Sequence, residues 1–295
     1  MHLVNLLAQL ETTTETQPLR GFLEVIAQTF WLLLVLITPF VIFALLIHFL
    51  ERLVQTRLAS RFGWKAVLWT GWLGTPIHEL SHWVLCKAFR HKVLEMALFE
   101  PDIRSGRLGF VRHSWKSGNW FQEVGNFFIG LAPLVGGSLV LAGLLWFFYP
   151  DAVVNMISSS GIGTEAESLE QASFVNMVFA SVWSLLSDLM APGNFFSWRF
   201  WLFTYLVLCV GSHMAPSRSD YDGASRGVSM VLLGMVVCLL LISLLGFETD
   251  RVVQAMLQFM SPVFGLQVIA IVIGAIATLV VWVLTHFFPE RFEVA

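Results

Sequence analysis

Two histidines four residues apart, with a glutamate beside the first, stand in the stretch His78-Glu79-Leu80-Ser81-His82. On a helix that spacing puts both imidazoles on one face, where they can hold one metal ion together. Glu79 then stands within reach of a water on the metal and can take its proton as a general base. Two neutral nitrogens at tetrahedral distances suit zinc better than magnesium or calcium, which prefer oxygen ligands. The motif lies inside the apolar run from Ala66 to Phe89. Each ionisable group in such a run costs about 2.5–3.5 kcal/mol on insertion scales, so a metal or an aqueous cavity is expected there. A polar packing cluster between helices is the alternative.

A catalytic zinc takes a third protein ligand and keeps one position for water. Apolar spans offer few carboxylates or histidines, and the best region runs from Ser212 to Gly223. Within it Asp220 is the first choice, Asp222 the second and His213 the third. The aspartates beside Ser217 and Ser219 also fit an ordinary helix N-cap in a solvated loop. Asp188 is a weaker candidate, on the polar side of an interfacial helix expected between Ala172 and Ala191.

These residues have to be positioned by membrane-embedded elements. Of the 295 residues, 57% are hydrophobic and 13% charged, with 26 Phe and 12 Trp, and the mean hydropathy is +0.75. Most of the outer surface must therefore face lipid. Against the roughly 20 apolar residues that a helical span needs, five runs are long enough and a sixth, Phe200–Val210, is shorter. They are Phe30–Leu50, Ala66–Phe89, Asn126–Tyr149, Phe200–Val210, Val228–Phe247 and Val263–Phe288. The expectation is an all-α polytopic membrane protein of about six transmembrane helices. It forms a single membrane-embedded domain over 1–295, with a catalytic core at 66–234 and peripheral helices at 28–50 and 248–288. The formal net charge of −3 gives no reason to expect a nucleic-acid partner. Cys86, Cys209 and Cys238 lie in apolar runs and imply no disulfide framework. Met1 to Arg20 is too polar and acidic for a cleavable signal peptide, so the first apolar run is expected to remain as an anchor.

The connection from Arg90 to Trp120 is long and basic. Within it Val93–Glu100 and Arg107–Trp115 read as two strands around Pro101, Asp102, Ser105 and Gly106, which predicts a small β-hairpin between the His-Glu helix and the next span. The positive-inside rule puts this connection in the cytoplasm and the Ser/Gly/Glu-rich stretch Asp151–Glu170 outside. Continued alternation brings Gly211–Gly227 to the cytoplasmic face, so the two candidate metal-binding regions can meet. Glu51–Lys65 is basic yet falls on the outer side by this count. It is either an amphipathic interfacial helix or a sign that the His-Glu segment is re-entrant.

The stretch from Gly74 to His82, in an apolar run, resembles the catalytic helix of the site-2 protease family of intramembrane metalloproteases. Gly125-Asn126-Phe127-Phe128-Ile129-Gly130-Leu131-Ala132-Pro133 is similar to the Gly/Pro-bearing helix that follows the hairpin in that family. The resemblance covers roughly Ala66 to Gly234 in layout and is specific only in the His-Glu motif. It implies an aspartate from a later helix as third zinc ligand. Tyr221-Asp222-Gly223 partly echoes the family's Leu-Asp-Gly signature and favours Asp222. The pattern Ser217-x-x-Asp220-x-x-Gly223 resembles uncharacterised bacterial relatives and favours Asp220. It further implies that the hairpin edge receives an unwound substrate segment as an added strand; a basic hairpin that anchors to anionic headgroups is the other reading. Asn126 is a candidate donor to a tetrahedral oxyanion, or a helix-packing asparagine.

The function expected is a zinc-dependent intramembrane endopeptidase in a bacterial inner membrane, with its site toward the cytoplasm. Its partners would be the lipid bilayer and a transmembrane protein or peptide substrate. The alternatives are a non-proteolytic membrane scaffold or chaperone with a structural or vestigial zinc site, and thirdly a transporter. Against the last, no inverted repeat is visible and the intramembrane charges sit in one motif.

Overall fold

The computed structural model describes residues 26, 27, 30, 31, 34, 38, 41–102, 104–160, 174–245 and 249–287. A first helix, α1, is continuous over 41–62, and a short 3-10 turn at Trp64–Val67 leads into α2, Leu68–Ala88. The two strands β1 (Lys92–Ala97) and β2 (Phe110–Ser114) follow. Then come α3 (Trp120–Gly130), α4 (Ala132–Phe148), α5 (Pro150–Ser159), α6 (Phe174–Leu189), α7 (Trp198–Gly211), α8 (Arg218–Leu244) and α9 (Thr249–His286).

Beside its apolar core the protein buries several polar side chains and exposes many large apolar ones. Buried positions include Glu79, His82, Gln122, Asn126, Ser138 and Gln267, while Phe147, Leu139, Trp183 and Phe196 stand exposed. Apolar side chains outside and polar ones inside are what a lipid solvent selects. The main core joins α4, α5, α6, α7 and α9 through Leu134, Leu145, Met156, Leu185, Phe203 and Ile269.

The count of about six spans is not met. Among the described residues two helices are long and apolar enough to cross a membrane, with windows at Arg218–Leu239 and Gln254–Val283, and a third if the bent pair α3 and α4 forms one span. The reasons differ by element. The polar residues of the His-Glu motif lower the apolarity of α2. At 14 residues, α7 reaches about 21 Å, short of a hydrocarbon core about 30 Å thick. The run Phe30–Leu50 lies partly outside the described residues. The pair α3 and α4 bends by 55° at Leu131, where Pro133 cannot donate a helical hydrogen bond.

Two connections contain helix. The first part of Asp151–Glu170 is helical, because Pro150 opens α5 and Ala152, Val153 and Met156 form an apolar stripe buried on the core; residues 161–173 lie outside the described residues. For Glu51–Lys65, where an amphipathic helix was one of the two alternatives, the structure has helix: α1 runs through to residue 62. Its apolar residues Val54, Leu58 and Ala59 are buried, and its polar stripe faces inward, as described below.

The hairpin forms where the sequence places it. β1 and β2 pair antiparallel, with a bulge between Val93 and Glu95, and pairing extends through an isolated bridge between Asp102 and Arg107. Asp102 closes the turn by accepting from the Arg104 N–H at 3.0 Å and the Ser105 hydroxyl at 2.7 Å.

Candidate metal centre

The His-Glu motif sits in the middle of α2, with Glu79 and His82 buried. His78 Nε2 and His82 Nε2 lie 3.2 Å apart. The Asp220 carboxylate approaches both, with Oδ1 3.3 Å from His82 Nε2 and Oδ2 3.6 Å from His78 Nε2. A tetrahedral site with metal–ligand distances near 2.05 Å has edges of about 3.3 Å. The three donors form a group that could hold a metal ion, and their spacing fits such edges.

The orientation of the histidines is fixed from behind. His78 Nδ1 donates to the His213 carbonyl at 2.7 Å, and His82 Nδ1 donates to the Ile129 carbonyl at 2.8 Å. A carbonyl only accepts, so each Nδ1 carries the proton and each Nε2 keeps its lone pair for a metal. In an unbroken helix the Ile129 carbonyl would accept from residue 133; Pro133 has no N–H, and the carbonyl is left for His82.

Asp220 is fixed in the same manner. Ser217 N–H and Ser217 Oγ both donate to Asp220 Oδ2 at 2.7 Å, and Asp220 N–H returns a bond to Ser217 Oγ at 3.3 Å. This is a reciprocal cap at the start of α8. The cap and the ligand alternatives for Asp220 are thus compatible: the cap aims the carboxylate. Gly130 lets α8 close on α3, since a Cβ there would meet Ala224 Cβ at 2.7 Å and also the Asp220 carbonyl. Asp222, two residues on, is exposed and does not line the cavity.

The donors open onto a cavity of about 910 Å³. Glu79 is on its wall beside the donor triangle, and the segment Ser105–His113 of the hairpin covers it. Gly109 lies against Glu79, where a Cβ would come within 2.9 Å of Glu79 Cγ. Asn126 is 2% exposed and lines the cavity, and its side-chain oxygen and nitrogen have no hydrogen-bond partner.

Other candidates fall elsewhere. His213 supplies its carbonyl to His78, while its Nδ1 faces the Cys209 carbonyl at 3.1 Å, and its Nε2 has no partner. It packs on α2 at Gly74, where a Cβ would meet the ring Nδ1 at 2.6 Å, and it is not in the donor group. Asp188 accepts from Asn155 Nδ2 at 2.9 Å, between α6 and α5.

Sequence reasoning set α1 at the periphery, yet His48, Glu51, Arg52 and Gln55 line the same cavity. Their i, i+3, i+4, i+7 spacing is one helix face, a signal present in the sequence at the end of the first apolar run. His91 and His113 were also missed, and they hold the base of the hairpin. His91 Nε2 donates to the Gln122 carbonyl at 2.8 Å, and the two Nδ1 atoms lie 2.9 Å apart. Burial lowers His91 below the usual histidine range. Burial, with the neighbouring His91 and His82 charges, pushes His113 down to about 4.

The chain matches no protein-family model, no curated protein and no solved structure.

Proposed function

We propose that the chain is a zinc-dependent intramembrane endopeptidase, as its resemblance to the site-2 protease family implies. One arrangement carries this reading: two histidine Nε2 atoms and the Asp220 carboxylate converge, each aimed by a backbone or serine partner, with Glu79 beside them. Such hydrogen-bonded support is characteristic of metal ligands. His78, His82 and Asp220 would hold the ion. When bound, zinc supplies Lewis acidity toward water and a peptide carbonyl.

The chain's own residues then divide the work. Glu79, buried but on the cavity wall, accepts a proton from water and returns it to the leaving nitrogen. Asn126, with an unpaired amide on the same wall, is suited to donate to the oxyanion. The hairpin over Glu79 offers unpaired strand edges to an unwound segment of a transmembrane substrate. The two or three helices able to cross a membrane support a multi-pass protein, and the basic hairpin favours a cytoplasmic face for the site.

The scaffold or chaperone reading, with a structural or vestigial zinc, would gain from a fourth protein ligand that closes the site. His213 was the residue available to close it, and its packing outside the donor group favours an open position. The test is zinc content of the detergent-purified protein beside His78→Ala and Asp220→Ala, followed by cleavage of a membrane-embedded peptide. About one zinc per chain is expected, lost in both variants. Full activity in Glu79→Gln would end the assignment of Glu79 as the base, and no cleavage by the zinc-loaded parent would sink the peptidase.

A further inference from the structure

The His91–His113 pair has fixed donor and acceptor roles. The Gln122 carbonyl can only accept, so His91 Nε2, at 2.8 Å, carries a proton. A neutral imidazole has one N–H, so His91 Nδ1 is an acceptor. His113 Nδ1, 2.9 Å from it, must therefore be the donor. That leaves His113 Nε2 with a free lone pair. His113 lines the cavity of the metal centre and His91 does not. With Nδ1 turned to His91, Nε2 is the ring nitrogen left to the cavity.

The ring is also held in place. His91 stacks on Trp115 with an interplanar angle of 23°, and Trp115 lies 5.9 Å from the His113 ring. Arg226 of α8 covers Trp115 at 5.3 Å. Gln122 ties the hairpin base further, donating to the Arg90 carbonyl at 2.7 Å and accepting from Lys116 N–H at 2.7 Å. The low affinity of both histidines for a proton, from burial, keeps them neutral near pH 7.

We propose that His113 is a substrate-binding residue, a fixed hydrogen-bond acceptor for one backbone N–H of an extended peptide lying in the cavity along β2. This rests on the peptidase reading. The stretch from Phe110 to His113 lines the same cavity. An unwound peptide brings backbone N–H groups that have lost their helical acceptors and need new ones. His113 supplies one at a position set from a buried carbonyl through His91.

The experiment uses the zinc-loaded Glu79→Gln protein in detergent micelles and a fluorescein-labelled peptide of about 20 apolar residues. His113→Phe is expected to weaken binding about tenfold, the loss of one hydrogen bond. His113→Gln recovers most of it, because its amide oxygen accepts. His91→Phe, which frees the His113 ring, falls between them, and zinc content is unchanged in all three. Methylating the peptide's backbone nitrogens one at a time should reveal a position that matters with His113 and not with Phe. Nitrogen-15 shifts of the His113 ring, read without peptide, should show a protonated Nδ1. Equal affinity for the parent and His113→Phe, or a proton on Nε2, overturns the proposal and leaves the peptidase standing. A peptide whose binding depends on His113 but which the Glu79-containing protein does not cleave ends the peptidase and keeps His113 as a binding residue. No binding of any peptide ends both.

Discussion

His82 donates its Nδ1–H to the carbonyl of Ile129 at 2.8 Å, and that carbonyl lacks its usual helical donor because Pro133 has no N–H to offer it. The bend between α3 and α4 is therefore part of the candidate metal centre: it leaves an acceptor that sets the tautomer of one of its three donor residues.

Pro133→Ala would restore a competing N–H and straighten the junction. Zinc affinity is expected to fall about tenfold to a hundredfold, the usual cost of a lost ligand-orienting partner. Competition with a chromogenic chelator measures it, and unchanged affinity would separate the bend from the metal.

The two aspartates can be told apart directly. Asp220→Ala is expected to abolish zinc binding, and Asp222→Ala to leave it intact, since Asp222 is exposed and off the cavity. Ser217→Ala removes the hydroxyl that holds Oδ2. It should weaken zinc without abolishing it and cost about 1 kcal/mol of stability through the cap. Metal analysis of the three purified variants decides the assignment.

Much of this centre was legible before the structure, because its signals are local. Four-residue spacing put His78 and His82 on one helix face, Pro101 to Gly106 marked the hairpin turn, and Ser217 with Asp220 spelled a cap. The choice of Asp220 over Asp222 became geometric only when α8 closed on Gly130 of α3, a contact set by helix packing. The inward face of α1 was hidden for the same reason: His48, Glu51, Arg52 and Gln55 show a stripe, but a stripe does not name what it faces. The span count failed because apolarity was read as length alone. A bent pair, a 14-residue helix and a polar motif each break that equation.

Glu79→Gln keeps the shape of the side chain and removes the base. Zinc content is expected to stay at the wild-type level while cleavage falls by at least about a hundredfold. A zinc-loaded variant with wild-type turnover would assign the proton transfer to another group.

Close packing at Gly130 gives a stability prediction. Gly130→Val adds a Cβ against Ala224 Cβ at 2.7 Å and against the Asp220 backbone. Overpacking of this kind costs about 1–3 kcal/mol, and here it also shifts the start of α8 away from α2. Both the thermal midpoint in detergent and zinc affinity should drop, whereas a drop in the midpoint alone would mean that Asp220 reaches the histidines independently of the helix crossing.

The hairpin should loosen in acid. His113, pushed down to about 4, and His91, also lowered, bind protons less readily folded than unfolded, where a histidine titrates near 6.5. Stability is therefore fully present above about pH 6.5 and falls as pH drops from there toward about 4, the window in which the unfolded state binds more protons. Around the pair, the Gln122 carbonyl accepts from His91, Asp220 opposes the fall in His113 and the His82 charge adds to it, and Arg226 sits over Trp115. Desolvation outweighs the one favourable charge. Hydrogen-exchange protection in Lys92–Ala97 and Phe110–Ser114, corrected for the intrinsic pH dependence of exchange, should decline across that window. The His113→Phe protein, which has no proton to gain at that position, should decline less. Equal decline in both would assign the acid sensitivity to other groups.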